Sequence, residues 1–484
     1  MDIYWQLVLL FFLHRVQYEG FPLFPQGFSM SRTSRRQFLR TVAGVTLTPY
    51  LFSSAQPVAA QSANDRIQVG CIGFGGMGRA NASRFSNLGD VVALCDVDSL
   101  RLDAAANDSH IGRLRPEKIK DYRKMLDRKD VDVISISTPD HWHIKMAIEA
   151  LQAGKHVFCE KPLTLTVEEG KLIRNACKKY DKQAFQVGTQ QRSEEGRRFL
   201  DARILIQKGL IGDVKKMTCY IGGSPSSPLI PVAPVPETLD WDMWLGQAPM
   251  TEYLESAERR DDGAPRNSRT HGAFRYWYEY SGGTMTDWGA HHVDCAMWTI
   301  DQNGPGQGPV KFTPRVVEHP MPFENGYPTE NNRYNTSTRF DIECTFEDGT
   351  VMHIMSHGDN GILFEGTKGR IHVSRGRING VPMDEIRDKL DEWIAEEDYT
   401  AAFNGKRREG HRQNFLTCVR EGGLPISDAA SNVQAMNVCH IAAISARLNR
   451  EVLYDPKTES TGDTESQAFL ARERRAGYDI PNVQ

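Results

Sequence analysis

Arg66-Ile67-Gln68-Val69-Gly70-Cys71-Ile72-Gly73-Phe74-Gly75-Gly76-Met77-Gly78 is an apolar run that ends in a glycine-rich turn and the start of a helix. The order strand, turn, helix opens a dinucleotide-binding unit. Gly73 permits the tight turn, Gly75 lets backbone N–H groups approach a pyrophosphate, and Gly78 allows close helix–strand contact. The helix N-terminus then faces the diphosphate. A second apolar run, Val91-Val92-Ala93-Leu94-Cys95, ends in Asp96, at the roughly 20-residue distance expected of the acid that binds the adenosine ribose. A carboxylate there repels a 2′-phosphate and favours NAD, while Arg101 nearby leaves NADP open.

Working outward, short apolar runs alternate with helical patterns as far as about residue 188: 131–137, 141–153, 156–159, 167–180 and 184–187. Such alternation predicts a parallel, doubly wound sheet. Beyond a helix near 194–208 the runs lengthen and read as antiparallel strands at 214–221, 339–346, 351–356 and 370–373, with Asp348-Gly349 as a hairpin turn. Segments 222–236 and 259–269 read as surface loops, and a long helix is expected around 433–448. The division that follows is 1–61 as an upstream extension with an export signal, 62–188 as a Rossmann domain, 189–460 as an α+β domain with an open, mainly antiparallel sheet, and 461–484 as a tail.

The 484 residues carry a net charge of −4 and no long basic stripe, which argues against nucleic acid as a partner. Nine scattered cysteines without a C-x-x-C pair argue against a disulfide framework or a cysteine zinc site. Near the start, Ser34-Arg35-Arg36-Gln37-Phe38-Leu39-Arg40 precedes a modest apolar run and Pro57-Val58-Ala59-Ala60. The pattern is similar to a bacterial twin-arginine signal cleaved after about Ala60, which predicts folded export to the periplasm or beyond and no stable membrane span afterwards. The apolar patch 7–13 lies ahead of the arginines, where a signal should begin, so translation is expected to start at Met30.

Chemistry-bearing residues gather at strand ends. Thr138-Pro139-Asp140-His141-Trp142-His143 and Glu160-Lys161-Pro162 each follow a strand and so fall on the sheet edge that holds ligands. The cofactor-contacting set expected is therefore Gly73, Gly75, Gly76, Met77, Gly78, Asp96, Thr138, Pro139, His143, Glu160 and Lys161, with His143 also a candidate for placing substrate. An ammonium at Lys161 can stabilise a developing alkoxide, although a solvated strand-end lysine is the plain alternative. In the turn-to-helix segment 282–294, Asp287 and His291 share a face, whereas His292 is rotated about 100° away. A neutral imidazole at His291 can take a hydroxyl proton, and Asp287 can bind a neighbouring hydroxyl or merely cap the helix. A metal site on Asp287, His291 and His143 lacks any strong ligand spacing, so no metal is expected. The segment Phe274-Arg275-Tyr276-Trp277-Tyr278 reads either as a platform for a sugar face or as sheet packing.

Together these motifs resemble the glucose-fructose oxidoreductase/inositol dehydrogenase/rhizopine catabolism (Gfo/Idh/MocA) family, with Glu160-Lys161-Pro162 the most specific of them. The resemblance implies a nucleotide domain followed by an α/β domain whose open sheet supports homo-oligomers, with substrate between the two. It implies Lys161 and His291 as the catalytic pair, Asp287 as a substrate partner, and a cis bond before Pro162. The expected activity is NAD(P)-dependent oxidation of a secondary hydroxyl on a sugar, glycoside or cyclitol. The alternatives are a glycosidase or lyase that oxidises a ring carbon transiently, and a non-catalytic nucleotide-binding protein. Neither Gln190-Gln191-Arg192 nor the two loops point to one substrate.

Overall fold

The computed structural model describes residues 66 to 483, so the twin-arginine segment, the apolar patch before it and the Met30 start lie outside the described residues. Six strands, β1 (Gln68–Ile72), β2 (Asp90–Cys95), β3 (Glu117–Ile119), β4 (Val133–Ile136), β5 (His156–Cys159) and β6 (Phe185–Val187), form one sheet in the order 3-2-1-4-5-6. Every neighbouring pair is parallel. The interior strands are apolar along their length because helices cover both faces. Strand order reverses at β1, and the crevice at its carboxyl end is where such sheets bind ligands. Helices α1 (Gly76–Leu88), α2 (His143–Gln152) and α3 (Val167–Lys179) follow β1, β4 and β5. Thr166 caps α3 by accepting from the Glu169 N–H at 3.3 Å, and acids in the first turn with lysines in the last suit the helix dipole.

The second sheet has nine strands: β7 (Val214–Tyr220), β8 (Lys311–Glu318), then, beyond a separate ribbon of β9 (Phe323–Glu324) and β10 (Tyr327–Pro328), β11 (Arg339–Thr345), β12 (Val351–Met355), β13 (Gly361–Gly366), β14 (Arg370–Val373), β15 (Ile378–Asn379), β16 (Val452–Asp455) and β17 (Ser460–Thr461). Their order is 15-14-13-7-12-11-8-16-17, antiparallel throughout except that β7 and β12 run parallel. The fold class expected from the sequence is the one observed, and Asp348-Gly349 turns the β11–β12 hairpin, with Gly349 at φ 83°. Alternating burial in β11, β12 and β14 shows one face packed and the other open. The packed face is covered by α5 (Gly289–Thr299), preceded by the single turn α4 (Thr284–Asp287), and by α7 (Ala429–Leu448), which is almost wholly buried.

Between these two helices, the buried Arg192 guanidinium grips the buried Asp294 carboxylate through two hydrogen bonds of 2.7 and 2.6 Å and also donates to Ile426 O. A bidentate pair sealed from water fixes the rotation of α5 about its axis, because losing either partner would leave a buried charge alone. Arg192 thus acts in packing.

Two segments depart from a simple succession of domains. Helix α6 (His411–Glu421) returns to the first sheet, where Phe415 meets Phe85 and Phe158 at 6.4 and 5.8 Å between ring centres. The tail is docked: Arg472 donates to Glu279 O and Tyr278 O, Arg475 to Gly246 O, and Lys145 reaches Asp479 O. The expected surface loops are irregular, yet Ser224, Ile230 and Arg269 within them are buried. Arg269 lies over the Trp277 ring at 4.1 Å, and Trp277 is fully enclosed, so that part of the aromatic segment is packing rather than a sugar platform. Among the described residues no helix is long and apolar enough to cross a membrane.

Candidate functional site

The glycine turn adopts the shape its sequence requires. Gly73 sits at φ 86° against Ser137 O, where a Cβ would approach to 2.6 Å. At Gly78 a Cβ would lie 1.8 Å from Gly73 O, so only hydrogen fits there. At Gly76 a Cβ would meet nothing within 4 Å, and at Gly75 only Arg101 Nη1 at 4.0 Å. Backbone N–H groups are therefore open to the cleft at the start of α1, the geometry that cradles a diphosphate. The exposed Met77 flanks the same mouth. These residues fit a dinucleotide.

Asp96 lines the cleft, with one carboxylate oxygen accepting from the Phe74 N–H at 2.7 Å and the other from the Asp98 N–H at 2.9 Å. Its carboxylate ties the glycine turn to the end of β2, and each oxygen retains a lone pair for a ribose hydroxyl. Asp98, which sequence reasoning passed over, caps the next helix and is flanked by Arg101 at 3.5 Å and His271 at 3.6 Å. His271 arrives from the second domain. With Met243, Trp244, Phe274 and Arg275 it forms a roof over the crevice.

On the sheet edge, Thr138 and Pro139 line the cleft, and Thr138 Oγ1 is buried without a hydrogen-bond partner. Glu160 also lines it, its Oε1 accepting from Asn81 Nδ2 at 2.8 Å and Gln190 Nε2 at 3.0 Å. Asn81 is held in turn by Arg412 of α6, and a Cβ at Gly188 would strike the Glu160 carboxylate at 2.7 Å. The peptide between Lys161 and Pro162 is cis. His143 is the exception. Its Nδ1 lies 2.7 Å from Pro162 O and its Nε2 3.0 Å from Thr138 O, and the buried ring does not reach the cleft. As the first residue of α2 its side chain turns inward, and His143 braces the two strand-end loops.

Lys161 and Asp287 meet although 126 residues separate them: Nζ donates to Asp287 Oδ1 at 2.6 Å and to Asp287 O at 3.0 Å. Arg275 Nε donates to the same Oδ1 at 3.2 Å. Burial pushes the Asp287 carboxyl up, but Lys161 and Arg275 outweigh it and hold the group well below the usual carboxylate range. Asp287 is no helix cap, since its carboxylate is spent on these two cations. His291, one turn further on, is buried with Nδ1 unpartnered. Burial, then Lys161 and Arg375, depress its basicity well below that of a free histidine, so it stays neutral. His292 is turned away, its Nδ1 accepting from Gln191 Nε2 at 2.9 Å and its Nε2 donating to Asn360 Oδ1 at 3.1 Å. Among the described residues no cluster of three or more His, Cys, Asp or Glu is placed to hold a metal ion.

Residues 67–189 match the model of an oxidoreductase family with an NAD-binding Rossmann fold, and residues 223–480 match its C-terminal α/β domain. A curated relative from Shewanella pealeana, a glycosyl hydrolase family 109 protein, is 30% identical over 206 residues, which cover 38% of this chain. The chain spans under half, 44%, of that relative's length. Two solved structures share the fold over 80% of the chain. The WlbA dehydrogenase from Bordetella pertussis, in complex with NADH and UDP-GlcNAcA, has a TM-score of 0.54 at 18% identity with 98% of its own chain covered. A levoglucosan dehydrogenase in complex with NADH and levoglucosan has a TM-score of 0.54 at 19% identity with 99% covered.

Proposed function

The chain belongs to the Gfo/Idh/MocA oxidoreductase family, with an NAD-binding Rossmann domain, and from that premise we propose that it oxidises a secondary hydroxyl of a sugar, glycoside or cyclitol. The observation that carries this reading is the meeting of Asp287 with Lys161, which lines the dinucleotide cleft, and the neutral His291 on which both charges act. When bound, the nicotinamide ring supplies a two-electron acceptor for the hydrogen of a carbinol carbon. Lys161 donates a hydrogen bond to the carbinol oxygen and stabilises the negative charge that grows there. His291 accepts the hydroxyl hydrogen bond through a nitrogen that burial keeps unprotonated. Asp287 and Arg275 hold the Lys161 ammonium in place, and Asp287 offers its free oxygen to a neighbouring hydroxyl.

Denaturing the purified protein should release NAD, and adding sugars, cyclitols and glycosides one at a time should identify those that reduce it, read by absorbance. Lys161→Ala should lower turnover by about 10³-fold while the nucleotide stays bound. Turnover near that of the wild type would refute the role given to Lys161. A second reading is cleavage of a glycosidic bond with no net change in the nucleotide, favoured by the relatives named as glycosyl hydrolases. Product formed from a glycoside without NADH would select it. Folded export and assembly of copies through the open face of the nine-stranded sheet complete the proposal, on the strength of the sequence and the family. N-terminal sequencing of the secreted protein and sedimentation test them.

A further inference from the structure

A nucleotide that carries a phosphate on its adenosine ribose needs a cation to receive it, since that group adds a charge of about −2. Five residues that could supply one line the cleft: Arg101, Lys120, Lys161, His271 and Arg275. Lys161 and Arg275 are both directed to Asp287, and Lys120 stands just past the end of β3. Arg101 borders the glycine turn and Asp96, where the ribose belongs: a Cβ at Gly75 would lie 4.0 Å from its Nη1, and its charge reaches the Asp96 carboxylate. His271 comes in over the same end from the second domain. Both face a third group. Asp98 is only 7% exposed and lines the cleft, its Oδ1 accepting from the Leu100 N–H at 3.0 Å. Its Oδ2 lies 3.5 Å from Arg101 Nε and 3.6 Å from His271 Nε2. Burial, then the charge of Arg101, push His271 down to about 3, so the imidazole is neutral and adds no cation. The loop that carries Asp98 is pinned from the second domain on both sides, the Asp240 N–H donating to Val97 O at 3.0 Å and the Ser99 N–H to Thr238 O at 2.9 Å.

We propose that Asp98 is a specificity-determining residue of the nucleotide site, holding Arg101 so that a 2′-phosphate would meet two carboxylates and no available guanidinium. Asp96 is thus not alone in excluding NADP. The inference concerns the nucleotide and stands whichever substrate the cleft takes. A free 2′-hydroxyl can donate to Asp96, whose two oxygens each keep a lone pair beyond their bonds to the Phe74 and Asp98 N–H groups. A 2′-phosphate would bring its negative charge into the same place, against both Asp96 and Asp98. To receive it, Arg101 would have to leave Asp98. That would strand a carboxylate whose side chain is only 9% exposed, with a neutral imidazole as its remaining neighbour. Nor can the loop carry Asp98 aside, because the second domain grips the backbone of the residues before and after it.

The experiment reads binding and needs no turnover. Wild type, Asp98→Asn, Arg101→Met and the double variant Asp98→Asn/Arg101→Met are compared as full chains. The nucleotide each carries when purified is identified by mass after denaturation, and NADH and NADPH are then titrated in competition, read by nucleotide fluorescence. Wild type should carry NAD and bind NADH about 10³-fold more tightly than NADPH. Asp98→Asn keeps an oxygen for the Leu100 N–H and removes the charge, so the ratio of NADPH to NADH affinity should rise about 10- to 100-fold, the worth of one hydrogen bond between Arg101 and a phosphate. The double variant should lose that gain, because the gain passes through Arg101. Arg101→Met alone should leave the ratio at its wild-type value, since its guanidinium is already engaged. Each ratio is internal to one variant, so a general loss of stability or of nucleotide affinity does not move it. A wild type that binds both nucleotides equally, by way of Lys120 or otherwise, overturns the proposal. So does an Asp98→Asn ratio equal to that of wild type, a gain that survives the loss of Arg101, or a fall in the ratio on Arg101→Met, which would show the guanidinium to be free.

Discussion

Every strand of the first sheet except β6 delivers a residue to the cleft at or just beyond its carboxyl end, whereas the nine strands of the second sheet deliver none. The second domain contributes through irregular segments and short helices: Met243 and Trp244, the turn at 271–275, and Asp287, which meets the cleft by way of Lys161. The first sheet positions chemistry through its own hydrogen-bond ladder, and a one-residue change there moves the cradle itself. The second is a backing plate. Its large, continuous core fixes α5, while Trp244 and Phe274 of the roof pack in a smaller cluster of their own.

That contrast can be broken by substitution. The largest effect is expected at the cradle, where Gly78→Ala forces a Cβ into Gly73 O; we expect a loss of about 3 kcal/mol in stability and nearly all bound nucleotide. Calorimetry and nucleotide content of the purified protein check it, and full retention of NAD would show that the close approach is dispensable. Next comes the roof. Arg275→Met removes one of the two cations on Asp287, so the carboxyl should rise from its depressed position and activity should be lost on acidification at a higher pH than in wild type, with kcat down about tenfold. An unchanged acid limb would mean that Lys161 alone governs Asp287. The smallest effect belongs to the outer face of the backing plate: Arg315→Ala, which parts an exposed pair with Glu343, should leave kcat/KM unchanged. A measurable loss of rate there would contradict the passive role of the sheet.

How far the sequence foretold this site follows the same division. The cradle, Asp96 and the strand-end motifs were legible because each is local, a glycine turn or a strand terminus with its chemistry within a few residues. Asp287 and His291 were legible as a pair from helical spacing, and the family resemblance joined them to Lys161. Arg275 was hidden inside an aromatic segment whose pattern speaks only of packing. His143 and Asp140 were both polar residues of one strand-end motif, and nothing in the spacing tells which turns inward to brace a loop and which borders the cleft. Met243 and Trp244 of the roof had no signal at all, since they come to the crevice only through tertiary folding, with Trp244 O tied to Trp142 Nε1 at 3.1 Å.

Helix α6 has a consequence for how this protein is made. Phe415 completes the aromatic cluster around Phe85 and Phe158, and Arg412 completes the Asn81–Glu160 link, so the nucleotide half of the molecule is unfinished until the ribosome has passed residue 421. A chain cut after residue 188 would display an uncovered apolar surface and a loosened Glu160. Cofactor loading is thereby deferred to the nearly finished polypeptide.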